Sequence, residues 1–547
     1  MSDPSPHPRR PLNRPARRAL SVPALLMLQG CGGGGAGAPE SPGGATTGLP
    51  AGYVPPSSPY LPPTAPDPAA FVLRPDEVAP YWIAALGNAD YAGLADFYAS
   101  FDGVVGYAFP EVMPDYYTGL DAEGWAPASA AVRTAFRAVF ADLERIIDVT
   151  FAEVSDLGGF NVVAISQNDQ TGLAGYAYFP MSNLPIGSDV LISNASDAPS
   201  RSGAGTNLDY ELVVHELGHA LGLKHPFEAD GAAGTVLPEA EDNSFWTAMT
   251  YTLRPEAFDG AFRDLDLMAL AGMFGVNPGW NAGDDVHVFS ARQGVFVLDG
   301  AGTDTISAEG RSEPARIDLR PGAHSHLGAQ SPLITAPWQL TISAGSEIEN
   351  AFGGTGADLL VGNELANLLY GGAGDDRIFA GEGADVVRGG AGDDLIDLSE
   401  VVQAQDRLHF ETTPAANGSD VVHGFVQGAA GDLVAFAPLA GVALLAVVSA
   451  ARVPEADVGG TILRLVQEGL DDAGALGRAL SEGGAFAGLR IAEGAEALVL
   501  TASSQAMGAD QHLFHVIATA AGLGVGHLAR FVGNALDIDA RQGANFA

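Results

Sequence analysis

A unit of nine residues, repeated five times without interruption, constrains this chain more than any other feature. From Gly353 to Asp397 it reads GGTGADLLV, GNELANLLY, GGAGDDRIF, AGEGADVVR and GGAGDDLID. Position 6 is Asp358, Asn367, Asp376, Asp385 and Asp394, and position 8 is Leu360, Leu369, Ile378, Val387 and Ile396. Small residues at the early positions let the backbone turn tightly and offer its carbonyls. An aliphatic kept at position 8 marks a short strand with one side chain turned inward, which a glycine-rich flexible linker has no reason to preserve. The carboxylate at position 6 is a hard oxygen ligand, and Ca²⁺ takes about six to eight oxygens. Asp376, Asp385 and Asp394 are therefore candidate calcium ligands. The segment holds nine acids and two arginines, a net charge of −7, so without cations it repels itself.

Length and composition narrow the rest. A chain of 547 residues has room for two to four domains. Its net charge of −40 disfavours nucleic acid and anionic lipid and suits a binder of cations. A single cysteine, Cys31, excludes disulfides, thiolate zinc sites and two-thiol redox chemistry. A single lysine, Lys224, follows no glycine-rich loop, so a Walker-type phosphate site is excluded. The G-x-S-x-G elbow of lipases and esterases is absent.

The first residues read as a leader. Arg9, Arg10, Arg14, Arg17 and Arg18 precede an apolar run, Ala19–Leu28, of signal-peptide length. Leu28-Gln29-Gly30-Cys31 then looks like a lipobox, which makes residues 1–31 a lipoprotein-type signal peptide with Cys31 as a lipid anchor. Residues 32–67, rich in Pro and Gly, read as a tether. No other segment approaches 18 unbroken apolar residues, so no membrane span is expected.

A second motif carries chemistry. His215-Glu216-Leu217-Gly218-His219, with Gly222 and His225, spells H-E-x-x-H-x-x-G-x-x-H. On a helix, His215 and His219 project from one face, while Val213, Leu217, Ala220 and Leu221 fit the buried face. Gly222 can adopt a positive φ and end the helix, which brings His225 round as a third nitrogen ligand. Three neutral imidazoles suit a catalytic zinc with an open position for water, and Glu216 stands where it can accept that water's proton. Downstream, Thr247-Ala248-Met249-Thr250-Tyr251 places a methionine and a tyrosine 24 and 26 residues after His225.

At this point the chain resembles a known family. The repeat resembles the RTX parallel β-roll, and the chain resembles the serralysins, the RTX-containing metzincin proteases. The likeness runs from about residue 100 to about residue 440. It rests on GYAFP at 106–110, FAEVSD at 151–156, AGYAYFP at 174–180, the histidine motif with Pro226, MTY at 249–251, DLDLMALAGMFGVN at 264–277, DGAGTDTIS at 299–307 and EIENAFGGTGADLLVGN at 347–363. The resemblance implies an α+β metzincin-type catalytic domain followed by an all-β parallel β-roll. It implies zinc on His215, His219 and His225, with Glu216 as general base. It also implies Tyr251 as a movable zinc ligand that stabilises the oxyanion, Met249 as the floor under the metal, and 174–179 as the edge strand to which a peptide substrate adds. By the same match, Gly283, Asp285, Asp299, Ala301 and Asp304 form an early calcium site. Glu347, Glu349, Gly354, Gly356 and Asp358 form the first calcium site of the roll.

The expected organisation is a leader to residue 31, a linker over 32–67, a zinc metalloprotease domain over 68–279, a roll over 280–400 and a β-rich C-terminal region over 401–547. GSDVVHGFVQGAAGDLVAF at 418–436 and the end GANFA look like a target of type I secretion machinery, so the chain carries signals for two export routes. A monomer is expected, exported or held at the outer surface as a lipoprotein, acting on polypeptides with one catalytic zinc and several structural calcium ions. The alternative is a non-enzymatic calcium-binding RTX surface adhesin, a role that would not require Glu216 and all three histidines to be kept.

Overall fold

The computed structural model describes residues 80–411, apart from 88–90, 102, 156, 158–160, 181–185, 197–207, 230–233 and 255–259. It further describes 417–426, 432–436, 443–449, 456–457, 461–466, 473–480, 489–490, 496–502, 511–519 and 522–531. The leader, Cys31, the linker and the terminal GANFA lie outside the described residues. Among the described residues, no helix is long and apolar enough to cross a membrane.

The first part is an α+β layer. Its strands are β1 (Val104–Ala108), β2 (Ala126–Pro127), β3 (Thr150–Glu153), β4 (Val162–Asn168), β5 (Gly175–Ala177) and β6 (Val190–Ser193). The order is β3-β1-β4-β6-β5, with β2 attached to β4. β3, β1, β4 and β6 run parallel, whereas β5 closes the edge antiparallel to β6. The helices are α1 (Tyr81–Leu86), α2 (Tyr91–Ala99), α3 (Ala130–Glu144), α4 (Leu208–Leu221) and α5 (Asp264–Phe274).

Helix α3 starts at Ser129, whose side chain accepts the Val132 N–H at 3.3 Å, an N-cap that satisfies one orphan donor. Its buried residues, Val132, Ala135, Phe136, Val139, Phe140 and Leu143, recur at helical spacing and face α4 and β3. α4 in turn packs on β5 and β6, so the histidine helix lies against the edge of the sheet.

The second part is a parallel coil. One sheet holds, in chain order, Val286–Val288, Thr305–Ser307, Asn350–Phe352, Leu368–Ala373, Val386–Ala391, Arg407–Phe410 and Leu433–Phe436, each parallel to the next. The facing sheet stacks Ala315–Asp318, Leu359–Val361, Arg377–Phe379, Leu395–Asp397 and Asp420–His423. Successive nonapeptides thus alternate between sheets, and 18 residues make one full coil. Leu360, Leu369, Ile378, Val387 and Ile396 are fully buried between them. Gly372 and Gly390 sit at φ +109° and +111°, and a Cβ at either would lie 2.2 and 2.1 Å from the carbonyl oxygen of the preceding coil. Only glycine fits there.

The coil does not stop at residue 400. Arg407–Phe410, Asp420–His423 and Leu433–Phe436 continue it, although their spacing departs from nine. Beyond it, Gly522–Phe531 adds parallel to Asp420–His423 and pairs antiparallel with Gln511–Thr519. A helix, α6 (Ala473–Leu480), packs on that last strand.

Candidate metal centre and carboxylate ladder

α4 carries the chemistry because of what surrounds it. Val213, Val214, Leu217, Ala220 and Leu221 are fully buried and fix the rotation of the helix. Gly222 adopts φ +111° and a Cβ there would meet Leu94 at 2.4 Å, so the helix ends. The Leu223 N–H returns to the Gly218 carbonyl at 2.8 Å, and the Lys224 N–H donates to the Leu86 carbonyl of α1 at 2.7 Å. The chain is thereby turned back over its own helix, and His225 enters the site.

The Nε2 atom of His225 lies 3.2 Å from that of His215 and 3.1 Å from that of His219. His215 Nδ1 is 2.7 Å from the Ala248 carbonyl, and His219 Nδ1 is 2.8 Å from the Leu223 carbonyl. A carbonyl only accepts, so each Nδ1 carries the proton and each Nε2 presents a lone pair. Glu228 stands 3.0 Å from Nδ1 of His225. Burial, then the neighbouring imidazoles, pushes His215 down to about 3 and His219 well below its ordinary value. Burial also lowers His225, against the pull of Glu228. Burial thus disfavours the charged form of all three rings, and their Nε2 atoms converge on one point. Such a donor set fits zinc.

Three side chains frame this point. Glu216 is fully buried, and its Cγ and Oε1 lie 3.2 and 3.3 Å from where a Cβ on Gly175 would stand. Glycine at 175 is what lets edge strand β5 lie against the carboxylate. Met249 is fully buried, and its sulfur would lie 2.4 Å from a Cβ on Gly218, so the helix glycine admits the methionine beneath the histidines. The half-exposed Tyr251 ring has its centroid 4.6 Å from His225 and 5.8 Å from His215.

Asp266 has no assigned role in the sequence reading. It is fully buried on α5 and accepts from Thr247 Oγ1 at 2.6 Å, the Ala248 N–H at 2.7 Å and the Arg263 N–H at 2.9 Å. It holds the turn whose Ala248 carbonyl orients His215. Its place three residues after Arg263 at the helix start is a capping signal, but its long-range bonds have no local one. Burial raises it to about 6 despite those bonds. Asp266→Ala would strand three buried donors, each worth about 1–3 kcal/mol. Thermal unfolding should show a loss of at least about 2 kcal/mol.

In the coil, the position-6 residues form two ladders. The amide of Asp358 donates to Asp376 Oδ1 at 2.7 Å, that of Asp376 to Asp394 at 2.9 Å, and that of Asp394 to Asp420 at 3.2 Å. On the other side Asn367 donates to Asp385 at 2.8 Å, Asp385 to Asp406 at 2.9 Å and Asp406 to Asp432 at 3.0 Å. Asp406, Asp420 and Asp432 extend the ladders beyond the strict repeat. Asp358 also accepts the Gly354 N–H at 2.6 Å, while Glu349 accepts the Asp304 N–H at 2.8 Å. Gly356 is buried, whereas Glu347 is exposed.

At the start of the coil, ligand oxygens of Asp285, Asp299 and Asp304 lie within 4.8 Å of one another, as do those of Asp385, Glu400 and Asp406. Gly283 and Ala301 border the first group on exposed turns. Burial, then facing carboxylates, raises Asp376 and Asp385 to about 8, Asp394 to about 7 and Asp420 to about 9.

These shifts set a pH dependence for the cation-free coil. The folded carboxylates keep protons that unfolded ones, with pKa about 3.9, release. Stability is then full below about pH 4 and is lost as pH rises toward 7–9. Acidifying the chelated chain from about pH 8 to pH 5 should raise its β signal in circular dichroism. Calcium binding should strengthen in the opposite direction, because it needs the ionised carboxylates.

The family model described as Peptidase M10 serralysin C terminal matches residues 278–434. The metallopeptidase AprA of Pseudomonas marginalis is 29% identical over 257 residues, covering 41% of this chain and 52% of that protein. The metalloprotease AprA of Pseudomonas entomophila is 30% identical over 255 residues, 41% of this chain and 51% of that one. Serralysin G of Dickeya chrysanthemi is 28% identical over 291 residues, 47% of this chain and 58% of that one. The chain thus spans about half the length of the curated relatives it matches. On these matches the chain is serralysin-like, and the coil falls in the stretch, residues 278–434, that matches the serralysin C-terminal model.

Proposed function

We propose that the chain is an exported zinc endopeptidase with a metzincin-type catalytic domain and a roll that folds on calcium. The observation that carries this reading is the convergence of three Nε2 atoms, that of His225 at 3.1–3.2 Å from the other two, with the Nδ1 atoms of His215 and His219 held by backbone carbonyls. Zinc held there would polarise the scissile carbonyl and lower the pKa of water toward about 7. The remaining steps belong to the chain. Glu216 takes the proton of the attacking water on a carboxylate oxygen and passes it to the departing amine. Its burial keeps bulk water from competing for that proton. β5 ends the sheet and offers its outer edge to an extended peptide, which would add as a further strand. Gly175 brings that peptide over Glu216. The presence of Glu216 with all three histidines supports an enzyme over a calcium-binding adhesin.

Treating the purified chain with a zinc chelator should abolish cleavage of denatured casein, and one equivalent of zinc should restore it. Cleavage that persists in a zinc-free chain would overturn the reading. Whether export runs through Cys31 lipidation or type I secretion is read from the mass of the mature N-terminus.

Tyr251 is proposed to donate its hydroxyl to the oxyanion. Its ring stands at the rim of the site, 4.6 Å from His225. Tyr251→Phe keeps that packing and removes only the donor. kcat should fall about 10- to 1,000-fold with KM little changed. An unchanged kcat would remove this role and leave the histidine centre standing.

A further inference from the structure

The two faces of edge strand β5 meet different partners. Gly175 and Ala177 face α4, where Gly175 lies against Glu216 and Ala177 is 1% exposed. By the alternation of a strand, Tyr176 and Tyr178 stand on the opposite face. Both hydroxyls donate to one oxygen, Asp121 Oδ1, at 2.8 Å each. The Tyr176 oxygen also accepts the Asn168 side-chain N–H at 3.0 Å. Asn168 ends β4, and β6 lies between β4 and β5, so the phenol reaches inward across the sheet and away from the outer edge. Asp121 is carried by a short 3₁₀ turn, Gly119–Asp121, whose Leu120 carbonyl accepts from the same Asn168 amide at 2.8 Å. A few residues earlier, Tyr116 and Tyr117 donate to Asp189 Oδ2 at 3.1 and 2.9 Å, and the Asp189 carbonyl accepts the Tyr178 N–H at 2.9 Å. Asp189 is fully buried. Residues 116–121 are thus fastened to the sheet at both ends.

A strand of three residues at the end of a sheet is held by little besides its one strand neighbour. Two phenols anchored on one carboxylate fix it, and they keep the rings off the N–H and C=O groups that an added strand would use. We propose that Asp121 is a positioning residue for the peptide substrate: it orders β5 before the substrate arrives, so that an extended peptide binds without bearing the cost of ordering that edge. This role rests on the proposed endopeptidase activity, with a substrate that adds to β5. It makes substrate length the property that is read, since only a peptide long enough to run along β5 gains from a fixed edge. The histidines and Glu216 are carried by α4 on the opposite face, so the chemical step does not draw on Asp121.

The test uses the full chain with zinc and calcium supplied. One bond that it cuts in casein is presented in a peptide of about ten residues and in one of about four. Asp121→Ala should raise KM for the long peptide about 5- to 50-fold, the loss of one or two backbone hydrogen bonds, with kcat little changed. KM for the short peptide should stay within about twofold. Asp121→Asn keeps an oxygen that accepts from both phenols, and should return the long-peptide KM to within about threefold of the unaltered value. Hydrogen exchange of the β5 amides, which needs no cleavage, should quicken in Asp121→Ala and recover in Asp121→Asn. A long-to-short KM ratio unmoved in Asp121→Ala, or β5 exchange as slow as in the unaltered chain, would overturn the role and leave the endopeptidase standing. An unaltered chain that cuts no casein would overturn both.

Discussion

Glu216→Ala should lower the cleavage rate by about 10²–10⁴ while zinc stays bound at one per chain. The two readouts separate because the substitution leaves His215, His219 and His225, and the carbonyls that orient them, in place. It also removes a fully buried carboxylate from a low-dielectric site, so no stability should be lost. A space opens beside Gly175, and water entering there cannot replace the carboxylate as a positioned base. Casein hydrolysis and metal content measured on the same preparation check this outcome. A variant that cleaves at near the unaltered rate would show that Glu216 is not the base.

The second large effect is on folding. Between Gly353 and Asp397 the net charge is −7. Stacking brings Asp358, Asp376, Asp394 and Asp420 into one ladder, amide to carboxylate, at 2.7–3.2 Å. Oδ2 of Asp376, Asp385, Asp394 and Asp406 is buried without a hydrogen-bond partner. Like charges held this close oppose the fold unless cations or protons intervene. In chelator at neutral pH the far-ultraviolet signal of the coil should therefore be largely disordered, and millimolar calcium should make it β-rich. Stability should then grow with ligand as RT ln(1 + [L]/Kd) per site. Magnesium should substitute poorly, since it prefers a tight octahedral shell. Asp376→Ala with Asp385→Ala removes one rung from each ladder and should raise the calcium midpoint. Equal β content in chelator and in calcium would refute calcium-gated folding.

Much of this was legible because it is periodic or local. Position 8 points inward in all five units since a two-sheet coil leaves it nowhere else to go. The i, i+4 histidines and Gly222 state a helix, its end and its return within eleven residues. Contacts across long stretches were not legible. Asp266 supports Ala248 from 18 residues away, and nothing near it in the chain announces that bond. The coil outruns its repeat for a similar reason. Asp406, Asp420 and Asp432 keep the ladder although insertions break the spacing of nine, and stacking depends on register in space rather than in sequence. The oxygens of Asp285, Asp299 and Asp304 were expected together from resemblance. The imidazole of His287, 3.4 Å from Asp299, was not.

The central claim is the three-histidine zinc centre, and X-ray absorption at the zinc edge tests it most directly. With one equivalent of zinc, the chain should show about three imidazole nitrogens at roughly 2.0–2.1 Å. His219→Ala should reduce that number and release the metal to a weak chelator. An all-oxygen shell, or a nitrogen shell unchanged in His219→Ala, would contradict the account.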